Sequence, residues 1–139
     1  MVDRVEKTDE QWRDELTPDQ FYVCREAGTE RPFTGKYNDF KGVGTFLCSC
    51  CGNPLFRSDT KFNSGTGWPS FYQPISKDAV HYTKDYAFLM ERVEVTCSAC
   101  DSHLGHVFND GPQPTGKRYC MNSVSLKFAS DEKEGNSAE

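Results

Sequence analysis

The chain has 139 residues, a formal net charge of −5 at pH 7 and a pI near 5.2. We do not expect an acidic chain to bind nucleic acid irrespective of sequence, because such binding requires a basic face. No segment approaches the roughly 18 consecutive apolar residues of a membrane span, and residues 1–10 lack the apolar stretch of a signal peptide. We therefore expect a cytoplasmic protein with one domain over residues 1–139, flexible at residues 1–7 and 129–139.

Two short helices are predicted near the start of the chain. A capping-box pattern at Thr8 indicates a first helix that ends near Leu16. The same pattern recurs at Thr17 and is followed by a proline, so a second helix is expected to run to about Glu26 and to stop at Gly28.

Loops and strands are predicted for the rest of the chain. Residues 31–44 are rich in Pro, Gly, Asn and Asp, which is typical of a loop. Residues 45–48 and 54–56 are predicted to be strands on either side of a tight turn. Between residues 86 and 97 the apolar positions change from even to odd numbers, which predicts a bulge or turn near residues 91–92.

The last strand pattern runs from Arg118 to Phe128, where apolar residues alternate with polar ones from Val124 onward. Extended backwards, the alternation places Arg118, Cys120 and Asn122 on the face that reaches the core. A cation stabilises a thiolate and an amide can orient a ligand, so this group is a candidate nucleophile site. The alternative is a small buried cysteine near a strand end.

Two Cys-x-x-Cys pairs with similar flanking sequences predict a metal site, formed by Cys48, Cys51, Cys97 and Cys100. Four thiolates from two hairpin turns are the ligand set of a closed, structural zinc site, which leaves no coordination position for a substrate. Zinc would join the two hairpins and contribute folding free energy. Two unrelated turns or a redox pair are the alternatives. Cys50 lies inside the first pair and is not assigned as a ligand, by symmetry with the second pair.

Three further segments, together with the paired cysteines, carry a family resemblance. They are Ser-Gly-Thr-Gly-Trp-Pro-Ser-Phe at 64–71, His-Leu-Gly-His-Val-Phe-Asn-Asp-Gly at 103–111 and Arg-Tyr-Cys-Met-Asn-Ser at 118–123. With residues 28–37, they resemble the B-type methionine sulfoxide reductases, over about residues 16–128. The resemblance implies a mainly β domain of two antiparallel sheets, barrel-like, with zinc remote from the active site. It also implies reduction of the R epimer of methionine sulfoxide in proteins.

The resemblance also assigns a reacting sulfur and its surroundings. Cys120 matches the family's nucleophile, whose thiolate would attack the sulfoxide sulfur and become a sulfenic acid. Arg118 would stabilise the thiolate, and Asn122 would orient the oxygen or the attacking sulfur. Trp68 matches an indole that packs against the methyl group of the sulfoxide, although a core tryptophan in a Gly-Pro turn would fit the same pattern.

His103 and His106 match two histidines that bind and protonate the departing oxygen. In an uninterrupted strand these two side chains would lie on opposite faces. Either a bend at Gly105 or at the end of the second cysteine turn brings both to one side, or only His106 is catalytic. Asp110 matches an acidic position in the family and would orient a histidine or Arg118, but its Asn-Asp-Gly context is also an ordinary turn signal.

The chain departs from the family pattern at Thr66, where many members carry a second cysteine that resolves the sulfenic acid. Cys24, on the predicted second helix, is our candidate resolving thiol, and thioredoxin would reduce the resulting disulfide. A disulfide to Cys120 needs Cα atoms within about 7 Å, so the N-terminal helices would have to move. Alternatively, Cys24 is inert packing, and a small thiol or thioredoxin reduces the sulfenic acid directly.

The competing hypothesis is a zinc-knuckle binding module of β fold without catalysis, in which Trp68 belongs to a ligand-binding wall. That hypothesis explains the four zinc cysteines and the tryptophan. It gives no function to the histidine segment or to the convergence at Cys120, and the sequence therefore favours the reductase.

Overall fold

The computed structural model describes residues 3–87 and 90–131, which form two helices and nine strands. The strands are β1 (Gly44–Cys48), β2 (Pro54–Arg57), β3 (Lys61–Phe62), β4 (Ser70–Phe71), β5 (Val80–Ala87), β6 (Met90–Cys97), β7 (His103–Phe108), β8 (Arg118–Met121) and β9 (Leu126–Ser130). All pairs are antiparallel and form two sheets, one in the order β2–β1–β9 and the other in the order β3–β4–β8–β7–β6–β5.

Both predicted helices are confirmed, as α1 (Asp9–Glu15) and α2 (Pro18–Arg25). The hydroxyls of Thr8 and Thr17 accept a hydrogen bond from the backbone N–H three residues later, and the side-chain oxygen of the glutamine at that position accepts one from the threonine N–H. These reciprocal bonds satisfy N–H groups that a helix start would otherwise leave unpaired. Neither helix in the described part of the chain has the length and apolar character needed to cross a bilayer.

The prediction of a mainly β fold with two antiparallel sheets is also confirmed. Aromatic rings fill the space between the sheets: Phe46 and Phe56 of one sheet contact Phe71 of the other, with ring centroids 5.2 and 4.4 Å apart. These three rings are fully buried, and burial of such large apolar surfaces is the main favourable contribution to folding. Among the described residues no strand pairing joins the two sheets, so they do not close into a barrel.

The prediction of one continuous strand over residues 118–128 is wrong. β8 ends at Met121, a 3-10 turn follows at Ser123–Ser125, and β9 then pairs with β1 in the other sheet. The turn takes the chain from one sheet to the other. The alternation of inward and outward side chains in β9 therefore does not continue into β8. Tyr119 and Met121 therefore face the core, whereas Cys120 lies half-buried on the opposite face.

The change in the phase of the apolar positions reflects two strands. β5 and β6 form an antiparallel pair with Ala87 opposite Met90. Glu91 and Arg92, where the sequence places a bulge or turn, both lie inside β6. Phe88, part of the same pattern, is outside the described residues.

Candidate active site and metal centre

Three neighbouring strands place the candidate nucleophile in the middle of a row of side chains. Cys120 of β8 pairs with Ser70 of β4 on one side and with His106 of β7 on the other. Gly105 lies opposite Met121, where an added Cβ would collide with the backbone of β8. A glycine at this position therefore allows β7 and β8 to approach closely beside the sulfur.

A cavity of about 120 Å³ opens over this row. Four of the predicted site residues line it: Trp68, His106, Cys120 and Asn122. Arg92 of β6 also lines it, although no sequence motif points to that residue. The structure thus brings together the proposed thiol, an imidazole, an indole and an amide around a space of small-ligand size.

A β-bulge brings the two histidines to the same side of β7. The register of β6 and β7 shifts between Val95 and Thr96, which leaves Leu104 as the extra residue of β7. The rings of His103 and His106 consequently lie with their centroids 5.5 Å apart. A bend is therefore present, at Leu104 next to the predicted Gly105, but of the two histidines only His106 lines the cavity, and His103 is buried behind it.

Each histidine is held by a carboxylate that sequence analysis missed. His106 Nε2 lies 2.8 Å from Asp85 Oδ2, and His103 Nδ1 lies 2.7 Å from Glu94 Oε2. Because an ionised carboxylate only accepts, these nitrogens carry the hydrogens. The buried Nε2 of His103 has no hydrogen-bond partner among the described residues. Burial lowers the pKa of His103, and the pairing with Glu94 opposes that effect. Burial acts to raise the pKa of Asp85, but His106 and Arg92 together lower it.

Arg118 supplies positive charge beside Cys120. Its Nε donates to Asp110 Oδ1 over 2.9 Å, and its guanidinium lies 4.4 Å from the centre of the Phe108 ring. Burial acts to lower the pKa of Arg118, but the pairing with Asp110 and a smaller contribution from Cys120 raise it. Of the two partners that the sequence allowed for Asp110, the structure shows Arg118 and not a histidine.

The loop at Glu30 ties together two walls of the cavity. Trp68 Nε1 donates to the Glu30 carbonyl over 3.0 Å, and Asn122 Oδ1 accepts from the Glu30 N–H over 2.9 Å. Asn122 Nδ2 also donates to the Leu104 carbonyl over 3.1 Å. These bonds to backbone groups fix the orientation of the indole and the amide before any ligand arrives. The sequence offers no motif for this role of Glu30, because the bonds come from its backbone.

The remaining candidate thiol lies elsewhere. Cys24 is 98% buried on α2, with Sγ 3.6 Å from Ser49 Oγ and 3.8 Å from Ser125 Oγ. A hydrogen bond with the neighbouring Cys50 thiol, and then burial, raise the pKa of Cys24. Cys24 does not line the cavity, so the structure does not bring this predicted site residue together with the others.

The four predicted metal ligands do come together. The Sγ atoms of Cys48, Cys51, Cys97 and Cys100 all lie within 4.8 Å of one another. The Cys48–Cys100 and Cys51–Cys97 pairs are each separated by 3.6 Å. A tetrahedral zinc with bonds of about 2.3 Å would hold its sulfurs about 3.8 Å apart, so the cluster fits such an ion.

The two cysteine turns have the same backbone structure. The N–H of Gly52 donates to the Cys48 carbonyl over 2.8 Å, and the N–H of Asp101 donates to the Cys97 carbonyl over 2.9 Å. Both donors have positive φ, +82° and +64°. Asp101 adopts this conformation without being a glycine, and its carboxylate accepts from Arg4 Nη2 over 2.7 Å. Residues near the start of the chain therefore contact the second turn.

Comparison with known proteins gives one consistent result. Residues 16–130 match the family model described as "SelR domain". "Peptide methionine sulfoxide reductase MsrB" of Saccharophagus degradans is 59% identical over 97% of this chain and 98% of its own length. Proteins with the same description from Methanosarcina barkeri and Pseudomonas putida are each 60% identical, over 97% and 91% of this chain and 94% and 96% of their own lengths.

Proposed function

Because the chain belongs to the SelR-domain family of B-type methionine sulfoxide reductases, we propose that it repairs oxidised proteins by reducing the R epimer of methionine sulfoxide at Cys120. Family membership gives the coarser activity, an oxidoreductase acting on methionine sulfoxide. The observation that supports the finer proposal is the cavity in which Cys120, His106 and Trp68 meet.

In the proposed reaction the Cys120 thiolate attacks the sulfoxide sulfur. The sulfoxide oxygen and one proton end on the cysteine sulfur, which becomes a sulfenic acid, while the sulfoxide sulfur becomes a thioether. The cysteine sulfur loses the two electrons that the sulfoxide sulfur gains. Arg118 would favour the thiolate by its charge, and Asn122, held in place by backbone bonds, would orient the reacting groups.

We assign the proton donation to His106. Its Nε2 is bound to Asp85, which leaves Nδ1 as the nitrogen available to a ligand in the cavity. A carboxylate that holds one imidazole nitrogen orients the ring, so that the other nitrogen is directed away from it. His103 would act indirectly, since it lies behind His106, with its ring packed near that of His106 and its Nδ1 held by Glu94.

We assign the epimer preference to Trp68. A sulfoxide sulfur carries an oxygen, a methyl group and the rest of the side chain, so its two epimers exchange apolar and polar groups. The Trp68 indole offers an apolar wall, and His106 lies on another part of the cavity lining. Only one epimer can place its methyl group against the indole and its oxygen near the imidazole in the same pose.

The sulfenic acid must then be resolved. Reaction with a second thiol gives a disulfide and water, and a dithiol such as thioredoxin would return both sulfurs to thiols by exchange. Cys24 remains the candidate second thiol within the chain, but α2 would have to leave its contacts with Ser49 and Ser125 for Cys24 to reach Cys120. The alternative is direct attack by an external thiol on the sulfur in the open cavity.

Mass spectrometry after one turnover without reductant distinguishes these two routes. A Cys24–Cys120 disulfide would support resolution within the chain. A sulfenic acid that persists on Cys120 until a thiol is added would exclude Cys24 as the resolving residue. Cys24→Ser provides the control, since it removes the disulfide route and leaves the external one.

We propose Zn²⁺ as the ion held by Cys48, Cys51, Cys97 and Cys100. A complete shell of four thiolates gives the ion a structural role, in which it joins the β1–β2 turn to the β6–β7 turn. We also propose a cytoplasmic location, because an odd number of cysteines, seven, with four of them gathered in a cluster that could hold a metal, is typical of a reducing compartment.

A steady-state assay tests the proposed function. The protein is incubated with each epimer of a methionine-sulfoxide peptide and dithiothreitol, and the methionine formed is measured for wild type and Cys120→Ser. We expect turnover of the R epimer alone and its loss in the variant. Binding of the peptide without turnover would instead favour the binding module, in which Trp68 belongs to a ligand-binding surface.

A further inference from the structure

We propose that Thr66 is a further catalytic residue, whose hydroxyl donates a hydrogen bond to Cys120 Sγ and stabilises the thiolate. Ser64, whose hydroxyl lies 2.8 Å from Thr66 Oγ1, determines the direction of that bond. The inference builds on the proposed function in one respect only, namely that Cys120 is the reacting sulfur. The observation on which it rests is the chain of three hydroxyl groups that ends at this sulfur, with Thr66 Oγ1 3.6 Å from Cys120 Sγ.

The loop between β3 and β4 is shaped to present Thr66 to β8. Gly65 and Gly67, on either side of Thr66, both have positive φ, +78° and +95°. Side chains other than hydrogen are disfavoured in this conformation, so the two glycines allow a tight fold. Beyond the loop, β4 pairs Ser70 directly with Cys120. The loop and the strand therefore bring hydroxyl groups to the sulfur from the side opposite His106.

The contact between Ser64 and Thr66 has one direction in which both hydroxyl hydrogens reach an acceptor among the described residues. The Ser70 hydroxyl lies within reach of two acceptors, Ser64 Oγ at 2.8 Å and the Trp68 carbonyl at 3.2 Å. Ser64 Oγ accepts from Ser70 Oγ over 2.8 Å and from the Thr66 N–H over 3.3 Å. Ser64 Oγ also lies 2.8 Å from Thr66 Oγ1, which is the acceptor available to its own hydrogen among the described residues. If Thr66 donated to Ser64 instead, the Ser64 hydrogen would have no acceptor in that part of the protein.

The Thr66 hydroxyl is thereby left with one role. Its oxygen accepts from Ser64 Oγ over 2.8 Å and from the Trp68 N–H over 3.4 Å, and so both of its lone pairs are used. The remaining group is its O–H, and Cys120 Sγ is the acceptor in reach. A hydrogen bond to an ionised sulfur favours the thiolate over the thiol. The hydrogen bond from Thr66 therefore stabilises the thiolate form of Cys120, which is the form that attacks.

Thr66 acts beside charged groups that also influence the sulfur. His106 is the cross-strand neighbour of Cys120 on β7, with Asp85 behind it. Arg118 of β8 contributes positive charge, and Arg92 of β6 lines the same cavity. A test of Thr66 must therefore leave these groups unchanged and vary only the hydroxyl.

The test compares Thr66→Val, which keeps the shape and removes the hydroxyl, with Thr66→Ser, which keeps the hydroxyl. The rate of Cys120 alkylation by iodoacetamide is measured against pH in the metal-loaded protein by peptide mass spectrometry, with no sulfoxide present. We expect the profile of Thr66→Val to move up by about one pH unit, so that alkylation below the midpoint is about tenfold slower. Thr66→Ser should follow wild type. Thr83→Val, an exposed position on β5, is the matched control.

Ser64→Ala tests the direction of the hydrogen bond between Ser64 and Thr66. It removes the donor that occupies Thr66 Oγ1, so we expect a shift of the same sign but smaller than that of Thr66→Val. Superimposable profiles for Thr66→Val and wild type would overturn the proposal, and so would an equal shift in Thr66→Val and Thr66→Ser. Alkylation requires no sulfoxide reduction, so a failure of the proposed function would show separately, as full activity of Cys120→Ser. Thermal melting of each variant confirms that the compared proteins are folded.

Discussion

The molecule contains two thiol sites with opposite surroundings. In the four-cysteine cluster, Cys97 Sγ accepts from the Ala99 N–H over 3.4 Å and from Asn53 Nδ2 over 3.6 Å, and three further sulfurs lie around it. Among the described residues Cys120 Sγ has one hydroxyl partner, Thr66, and it faces an open cavity. A thiolate that binds a metal and also accepts hydrogen bonds from N–H donors has no lone pair available for attack and is unreactive. A thiolate with one donor and one open side is free to attack.

The same pair of strands supports both sites. β6 and β7 carry the second cysteine turn at one end. Further along they carry Arg92 and His106, which line the cavity, and Glu94, which holds His103. A metal held by the four cysteines would therefore stabilise the strands that position the histidines, although the cluster does not line the cavity. The difference between the sites predicts that substitutions in the four-cysteine cluster lower the stability of the fold. Substitutions in the cavity should instead lower the reaction rate.

The largest expected effect follows from the loss of one metal ligand. We expect Cys97→Ser to lose the ion and most of its folded structure, because structural zinc binding of about 10–16 kcal/mol is comparable with the whole stability of a domain. Cys50→Ser should retain both. Metal content by mass spectrometry and the far-ultraviolet circular dichroism spectrum measure the two effects. Release of the metal by Cys50→Ser would contradict the assignment of the four ligands.

A smaller effect, confined to the reaction, is expected for His106→Asn. Loss of a positioned proton donor typically lowers a rate by about 10²- to 10⁴-fold. Metal content and the melting temperature should stay near those of wild type. Asp85→Asn should lower the rate by about 10- to 100-fold, as for the loss of a residue that orients a catalytic imidazole. Single-turnover rates at several pH values would make the comparison, and unchanged rates in both variants would remove His106 from the mechanism.

Trp68→Phe should have a more modest effect, on selectivity. The smaller ring covers less of the methyl group, and a partial loss of apolar contact changes discrimination by about 10- to 200-fold at most. The ratio of kcat/KM for the two epimers measures this change. The tryptophan would have no part in the epimer preference if that ratio stayed constant while both activities fell together.

The smallest expected effect concerns His103 and the pH dependence of stability. Burial lowers the pKa of His103, with Glu94 opposing, so the unfolded chain binds a proton at higher pH than the folded chain does. The contribution of neutral His103 to the free energy of unfolding is therefore fully present above the ordinary imidazole pKa of about 6.5. It is lost as the pH falls below that value.

Urea unfolding at about pH 7.5 and about pH 5.5, on either side of the ordinary imidazole value, measures this contribution. Wild type should lose more stability than His103→Gln over this interval, with metal content checked at both values. An equal loss in the two proteins would contradict a buried, neutral His103.

Local patterns in the sequence were sufficient for part of this structure. The capping boxes at Thr8 and Thr17 depend on residues three positions apart, and both helices formed as predicted. The paired cysteines were equally informative, because each turn is a short segment with its own hydrogen bonds. The cysteine, histidine, tryptophan and asparagine of the candidate site also belong to short motifs.

Features that depend on strand register were not predictable in this way. The bulge at Leu104 brings the histidines together, and it exists only in the pairing of β6 with β7. Glu94 reaches His103 from the adjacent strand, and Asp85 reaches His106 from two strands away, so no local spacing indicates those partners. The turn at Ser123–Ser125 changes sheets and reverses the face assigned to Cys120. Each of these features results from contacts between residues distant in sequence.

The most direct test of the central claim is a single turnover without reductant, in which methionine formation and the state of every cysteine are measured together. The account predicts about one methionine per chain, with a trapped sulfenic acid or a disulfide at Cys120 and unmodified metal ligands. Methionine formation by Cys120→Ser at the wild-type rate, or oxidation at the four-cysteine cluster with Cys120 still reduced, would contradict it.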